Sequence, residues 1–293
     1  MPHKAGFVNI IGYPNVGKST LMNALVGERL SIITSKAQTT RHRIMGIVNG
    51  EDYQIIFSDT PGIVRDPAYK MHELMNKYID SALQDADIFL LMTEPGLDFS
   101  EDTVVDKIVK SRVPVLVLIN KIDLSTQESV QEQMKQWQEK LPVAEVIPVS
   151  AQNEFNIEAV MNRILALLPE SPAYFEKDEL TNRTERFFVS EIIREKILLN
   201  YKKEIPYAVE VIIDSFKEEE NIINIQSTIY VERDTQKGIV LGHQGKAIKK
   251  TGTMARLDME TFFGKKIFLQ MTVKVKKDWR NNETTLNRFG YDH

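Results

Sequence analysis

The sequence predicts an α/β domain, a mostly parallel sheet with helices on both faces, followed by a smaller α+β domain. Three observations carry this. Short apolar runs alternate with helical stretches as far as Leu168. Turn-forming residues gather at the C-terminal ends of those runs. After Pro169-Glu170-Ser171-Pro172 the alternation stops and a different order of elements begins. Strands are expected near 6–11, 44–48, 53–58, 87–92, 114–119 and 145–149, and helices over 18–27, 69–84, 101–111, 128–140 and 157–168. Between the first helix and the second strand, residues 31–43 are polar, rich in Ser and Thr, and read as a mobile loop.

The second half reads as helix, strand, strand, helix, turn, helix, strand. A helix is expected over 184–200, with Phe188, Ile192, Ile193 and Ile197 on one side. Residues 207–214 and 222–232 are strand-like and flank the polar tip 216–221, so they should pair antiparallel. Asp234 or Thr235 is the expected cap of a short helix through Leu241. Gly242-His243-Gln244-Gly245 follows, then a helix from Lys246 to about Phe263, then a strand over 267–275.

A length of 293 residues suggests about two domains, placed here at 1–172 and 184–293 with a linker over 173–183. With 42% hydrophobic and 27% charged residues the composition is that of a globular protein. There is no cysteine, which excludes disulfides and thiolate metal sites and fits a reducing compartment. The longest apolar runs are too short to span a bilayer, and Met1-Pro2-His3-Lys4 shows neither a signal-peptide core nor a glycine for myristoylation. A cytoplasmic monomer is expected. The net charge of −4 hides an asymmetry. Residues 1–183 carry 18 Lys+Arg against 25 Asp+Glu, whereas residues 235–280 carry 11 against 3. That basic stretch suggests a polyanionic partner.

Gly12-Tyr13-Pro14-Asn15-Val16-Gly17-Lys18-Ser19 fits G-x-x-x-x-G-K-[ST], and Thr20 opens the helix behind it. Strand, glycine loop, helix is the setting in which this pattern cradles nucleotide phosphates. Glycines let backbone N–H groups approach the phosphate oxygens, and the helix N-terminus adds its positive dipole end. Lys18 would reach the β- and γ-phosphates, and Ser19 would ligate Mg²⁺. Asp59-Thr60-Pro61-Gly62 ends another apolar strand. Asp59 there would hold Mg²⁺ through water, and the Gly62 N–H would approach the γ-phosphate. Asn120-Lys121-Ile122-Asp123 is the guanine-reading pattern. A carboxylate at Asp123 accepts from both N1–H and the 2-amino group of guanine, a donor pair that adenine lacks. Asn120 would brace the loop, and the Lys121 stem would cover the base. Ser150-Ala151-Gln152 follows a further strand and would bring the Ala151 N–H to guanine O6.

The second-half order around Gly242-His243-Gln244-Gly245 resembles a type II KH domain, which clamps single-stranded nucleic acid with a G-x-x-G loop. Lys246, Lys249 and Lys250 follow that loop and would add charge toward phosphates. A guanine-nucleotide domain followed by a KH domain resembles the Era family of bacterial GTPases over essentially the whole chain. Lys36-Ala37-Gln38-Thr39-Thr40-Arg41 and Lys274-Val275-Lys276-Lys277-Asp278-Trp279-Arg280 are detailed matches. The resemblance implies a GTPase that binds the 3′ region of small-subunit ribosomal RNA and assists 30S subunit maturation, with loose peripheral association at the inner membrane. It also implies that Thr40, preceding Arg41, is the switch I ligand of Mg²⁺. Asn15 occupies the position that helps hold K⁺ in related potassium-using GTPases; its other reading is a turn-stabilising residue.

At the position where Ras-like GTPases place a water-orienting glutamine, this chain has Ile63. Slow intrinsic hydrolysis is therefore expected. His42 and His72 lack partners at metal spacing, and Trp137, Met71 and Met75 read as packing residues. A metabolic P-loop kinase is disfavoured by the guanine pattern. A KH-like module that docks protein or membrane remains open at this level.

Overall fold

The computed structural model describes residues 2–97 and 103–291. The chain divides into two compact units. One comprises Met1–Ser31, Thr40–Asp66 and Met75–Asn182; the other comprises Ile32–Thr39, Pro67–Leu74 and Arg183–His293.

The first unit is built on a six-stranded sheet of β1 (Lys4–Gly12), β2 (Ile44–Asn49), β3 (Tyr53–Asp59), β4 (Ile88–Thr93), β5 (Val115–Ile119) and β6 (Glu145–Pro148). Their order is β2-β3-β1-β4-β5-β6. All neighbours are parallel except β2 and β3, which form an antiparallel hairpin through the short turn after Gly50. Val8, Ile10, Phe57, Leu90 and Val117 are fully buried. Strands covered on both faces need continuous apolar runs, which is why these segments do not alternate. The covering helices are α1 (Lys18–Val26), α2 (Lys70–Gln84), α3 (Thr103–Ser111), α4 (Gln127–Lys140) and α5 (Ile157–Leu167). The helix expected over 101–111 is seen from Thr103; its first two residues lie outside the described ones. Thr126 caps α4 by accepting from the Ser129 N–H, and Gly27 closes α1 with φ 79°.

Register places the functional loops together. Ile10 pairs with Asp59, Gly12 with Met92, Thr93 with Ile119 and Ile119 with Pro148. The C-terminal ends of β1, β3, β4, β5 and β6 therefore line one edge of the sheet, where α/β folds bind ligands. Residues 173–182, expected as part of a linker, lie along the β2–β3 side of the sheet. The Ile47 N–H donates to Leu180 O at 2.8 Å, and Gln54 accepts the N–H groups of Tyr174 and Phe175. An edge strand has free backbone groups, and this segment satisfies some of them.

The second unit contains α6 (Glu185–Asn200), β7 (Glu210–Glu218), β8 (Ile222–Val231), α7 (Asp234–Leu241), α8 (Lys246–Phe263), β9 (Lys266–Val275) and α9 (Glu283–Arg288). Its sheet has the order β7-β8-β9, antiparallel then parallel. Val189, Ile193, Ile197, Ile225, Ile229, Ala255 and Met259 form its core. Four details depart from the sequence reading. Pro206 lies in a single 3₁₀ turn, so β7 begins at Glu210 rather than 207. The strand runs on to Glu218, whose carboxylate pairs with Lys265 at 2.6 Å, so the acidic tip is shorter. The cap of α7 comes from Gln236, which reaches back to accept the N–H groups of Glu232 and Arg233, rather than from Asp234 or Thr235. Helix α9 is an element the sequence pattern does not announce. Asn282 caps it at the Thr285 N–H, Leu286 and Tyr291 are fully buried, and Phe289 packs edge-on against Trp279.

The segment 31–43, read as one loop, is divided. Thr40 to Arg43 belong to the first unit. Residues 32–39 are held in the second, where Lys36 Nζ donates to the carbonyls of Leu198 and Tyr201, and Arg194 donates to Thr39 O. Likewise the Met71 N–H donates to Arg280 O, and the Arg280 guanidinium lies 3.8 Å over the Tyr69 ring. Among the described residues no helix is long and apolar enough to cross a membrane.

Candidate nucleotide and RNA sites

The loop from Gly12 to Ser19 turns sharply between β1 and α1. Gly17 has φ 100°, which excludes a side chain, and a Cβ there would lie 2.2 Å from Asn120 Nδ2. Asn15 also takes left-handed geometry, φ 67°, as asparagine tolerates, and its side chain is exposed. Lys18 is buried, and its ammonium donates to Gly12 O at 3.0 Å and Tyr13 O at 2.8 Å, inside its own loop. Burial lowers its pKa to about 8, with Asp59 opposing the shift.

The expected Mg²⁺ oxygens meet. Ser19 Oγ lies 2.7 Å from Asp59 Oδ2 and 2.8 Å from Thr40 Oγ1, and Thr40 Oγ1 lies 3.3 Å from Asp59 Oδ2. Asp59 is fully buried, and burial raises its carboxyl above the usual range despite Ser19, Lys18 and Thr40. Its Oδ1 has no hydrogen-bond partner. A buried carboxylate with one oxygen unmatched, beside two hydroxyls, is the donor set a hard divalent cation takes. Thr60 turns away, donating to Ile10 O at 2.8 Å. Pro61 and Gly62 follow, and a Cβ at Gly62 would meet the Pro14 backbone at 2.8 Å. The Asp-Thr-Pro-Gly turn is thus in van der Waals contact with the phosphate-binding loop.

The residues expected to read guanine form one cluster. Asn120 Nδ2 donates to Val16 O at 2.8 Å, and Asn120 Oδ1 accepts the Ala151 N–H at 2.9 Å. Asn120 therefore ties three loops together, as the sequence suggests. The Ala151 N–H, expected to face guanine O6, is directed at Asn120 in this arrangement. Ser150 donates to Asp123 Oδ1 at 2.6 Å, which orients the carboxylate, and Asp123 is otherwise exposed. Lys121 has φ 61° and its ammonium pairs with Glu94; Gln152 is exposed.

Four residues here carried no sequence signal. Glu94 anchors Lys121. Arg43 is buried and donates to Ser58, Ser81, Asn9 and both oxygens of Asp85. Arg65 stacks 4.6 Å over the Tyr13 ring, and Asn76 pairs with Val64. Each belongs to no pattern, and only the folded chain brings it to its partner.

In the second unit the G-x-x-G turn joins α7 to α8. Gly242 has φ 70°, and a Cβ there would lie 2.5 Å from Ala247 Cβ. Gly245 has φ 73° with open space around it, so its backbone is approachable from outside. His243, Gln244, Lys249 and Lys250 are exposed. Lys246, at the start of α8, is exposed as well. Gln244 itself is left-handed. The N–H groups at the start of α8 emerge beside this turn, making a positively polarised surface.

Comparisons with known proteins agree with this geometry. The family model described as 50S ribosome-binding GTPase matches residues 7–121, and the KH domain model matches residues 204–280. The chain is 44% identical to GTPase Era of Syntrophus aciditrophicus, covering 99% of this chain and 95% of that protein. It is 43% identical to the GTPase ERA-like, chloroplastic protein of Oryza sativa subsp. japonica, covering 99% of this chain and 70% of that protein. Two solved structures superpose with a TM-score of 0.94 over 99% of this chain and all of theirs. One, at 34% identity, is Era in complex with MgGDPNP and nucleotides 1506–1542 of 16S ribosomal RNA. The other, at 35%, is a point variant of Aquifex aeolicus Era bound to GDP·AlF₄⁻. Full-length identity at this level, with both domain models in order, makes the chain a member of the Era family of GTPases.

Proposed function

We propose that this GTPase couples a guanine-nucleotide site in residues 1–172 to an RNA-binding KH-type domain in residues 184–293. Its RNA target is the 3′ region of small-subunit ribosomal RNA, and its task is 30S subunit maturation. The observation that carries the nucleotide half is the meeting of Ser19, Thr40 and Asp59 oxygens beside the phosphate-binding loop. The RNA half is supported by the open turn at Gly245 with its lysines and by the relative solved with 16S ribosomal RNA.

In this reading residues 12–20 and 59–62 hold the phosphates, and Asn120, Lys121, Asp123, Ser150, Ala151 and Gln152 hold the base. Ser150 fixes the rotamer of Asp123, so both carboxylate oxygens are presented without reorganisation. Ser19 and Thr40 would hold Mg²⁺ directly, with Asp59 next to them. That ion would neutralise charge developing on the transferred phosphoryl group. Lys18 would leave the Gly12 and Tyr13 carbonyls for the phosphates. Ile63 has no hydrogen-bonding side chain, so the attacking water must be positioned by backbone groups such as the Gly62 N–H. Asn15 would hold K⁺ beside the phosphates. Its exposure leaves the side chain available for that role, whereas its left-handed backbone is also what a simple turn residue would show.

The protein acts as a cytoplasmic monomer in this reading, with inner-membrane association limited to peripheral contact. One experiment tests both halves: binding of GTP, GDP, ATP and a 3′-terminal small-subunit ribosomal RNA oligonucleotide to the full chain. Guanine nucleotides should bind and ATP should not, and the oligonucleotide should bind more tightly than a scrambled one. ATP binding equal to GTP would overturn the first half, and equal affinity for the scrambled RNA the second.

A further inference from the structure

Between the Asp-Thr-Pro-Gly turn and α2, residues 63–65 cross a hollow. Ile63, Val64 and Arg65 border a cavity of about 380 Å³ whose other walls include Ile79, Val104 and the Lys107–Asp80 pair. A segment over a void gains little from packing. Its position must come from directional bonds, and the structure supplies a matched pair. The Val64 N–H donates to Asn76 Oδ1 at 3.2 Å, and Asn76 Nδ2 donates to Val64 O at 2.9 Å. One side-chain amide thus satisfies both backbone groups of one residue, as a neighbouring strand would.

The stretch of α2 that carries Asn76, from Met75 onward, belongs to the first unit. Met75 and Ala82 are fully buried and Ile79 nearly so. One face of α2 is also fastened by Arg43, which bonds to Ser81 and Asp85. Asn76 is therefore a rigid reference point, and Val64 lies only two residues beyond Gly62. Gly62 in turn is pressed against Pro14 with no room for a Cβ.

We propose that Asn76 is a positioning residue for GTP hydrolysis: by pairing with both backbone groups of Val64 it sets the height of the Gly62 N–H over the phosphate-binding loop. The proposal rests on the reading of Gly62 as a γ-phosphate contact. It makes Asn76 irrelevant to GDP, which has no γ-phosphate. A merely structural asparagine would instead lower stability and all nucleotide affinities together.

The test compares wild type, N76A, N76D and G62A as full-length proteins, measuring steady-state hydrolysis, GDP affinity and affinity for a non-hydrolysable GTP analogue. N76A should lose tenfold or more in kcat and its preference for the analogue over GDP, while GDP affinity stays within twofold. N76D keeps the acceptor for the Val64 N–H but sets a carboxylate against Val64 O, so it should fall in the same way. It serves as the decisive variant if N76A does not fold. Wild-type kcat in either folded variant, or GDP affinity falling in step with kcat, overturns the proposal. G62A separates the two levels: if it turns over normally, the reading of Gly62 fails. If it is impaired while the Asn76 variants are not, only the role of Asn76 fails.

Discussion

Lys18 shows how a single residue links structure to pH. Its amine is buried against two carbonyls, and burial brings its pKa down to about 8. In the unfolded chain the same amine titrates at 10.5. The unfolded state therefore binds more protons between those values, and the nucleotide-free protein gains stability as pH rises from about 8 toward 10.5. A bound triphosphate favours the ammonium and raises the pKa again. GTP affinity should be flat below about pH 8 and fall above it, by at most about tenfold per pH unit. Dissociation constants measured from about pH 7 to about pH 9.5 bracket that change, and a constant value throughout would contradict it. Asp123 offers a sharper residue-scale test. Asn in its place offers a donor where guanine has donors, and it matches the 2-oxygen of xanthine. Asp123→Asn should lose GTP affinity by about a hundredfold or more and gain affinity for xanthosine triphosphate. Unchanged GTP binding by a folded mutant contradicts the guanine-reading role of this carboxylate.

At the scale of elements, the strand-tip loops act as a set because the sheet register places their strands side by side. Arg43 secures one corner of that set. It reaches from the start of β2 to β1, β3 and α2 through Asn9, Ser58, Ser81 and Asp85. Removing it leaves Asn9 and Ser58 unmatched in a buried site, while the exposed Asp85 turns to water. Arg43→Met should cost about 2 kcal/mol, read as a lower midpoint in urea. A cost of less than about 1 kcal/mol would mean that water replaces the guanidinium with little penalty. The phosphate-binding loop is a second such element. Its left-handed residue at position 15 is equally suited to serving only the turn. Hydrolysis measured in K⁺ and in Na⁺ at equal ionic strength separates the two readings. Faster turnover in K⁺, abolished in Asn15→Ala, supports an ion-holding role, and equal turnover in both salts removes it.

For the whole molecule, what the sequence disclosed follows from how local the signals are. Buried parallel strands such as Val115–Ile119 are short unbroken apolar runs, and the phosphate and guanine motifs are contiguous, so both can be read directly. Asn76, Arg65, Arg43 and Glu94 act across long stretches of chain and have no local pattern. Helix α9 is short and polar, so its anchoring, through Phe289 against Trp279 and through Tyr291 to Glu210, appears only in three dimensions. The cap of α7 falls to Gln236 because its longer side chain reaches two backbone N–H groups at once. Separate units with separate sites should be separable by mutation. The turn at Gly245 has φ 73° and nothing within 4 Å of a Cβ, so an aspartate there is strained in backbone yet meets no neighbour. It would place a carboxylate where RNA phosphate must sit, at the N-terminal end of α8. Gly245→Asp should therefore abolish single-stranded RNA binding while leaving GTP affinity unchanged. Removing Lys246, Lys249 or Lys250 singly should weaken RNA more evenly and reduce the salt slope by roughly 0.7 for each phosphate left without its lysine. RNA affinity across a salt series, with GTP affinity as the folding control, distinguishes these effects. A Gly245→Asp protein that binds GTP and keeps wild-type RNA affinity and slope would show that RNA is held elsewhere. The lysine series would then fail together with it, because the charges matter only if phosphate lies against this turn.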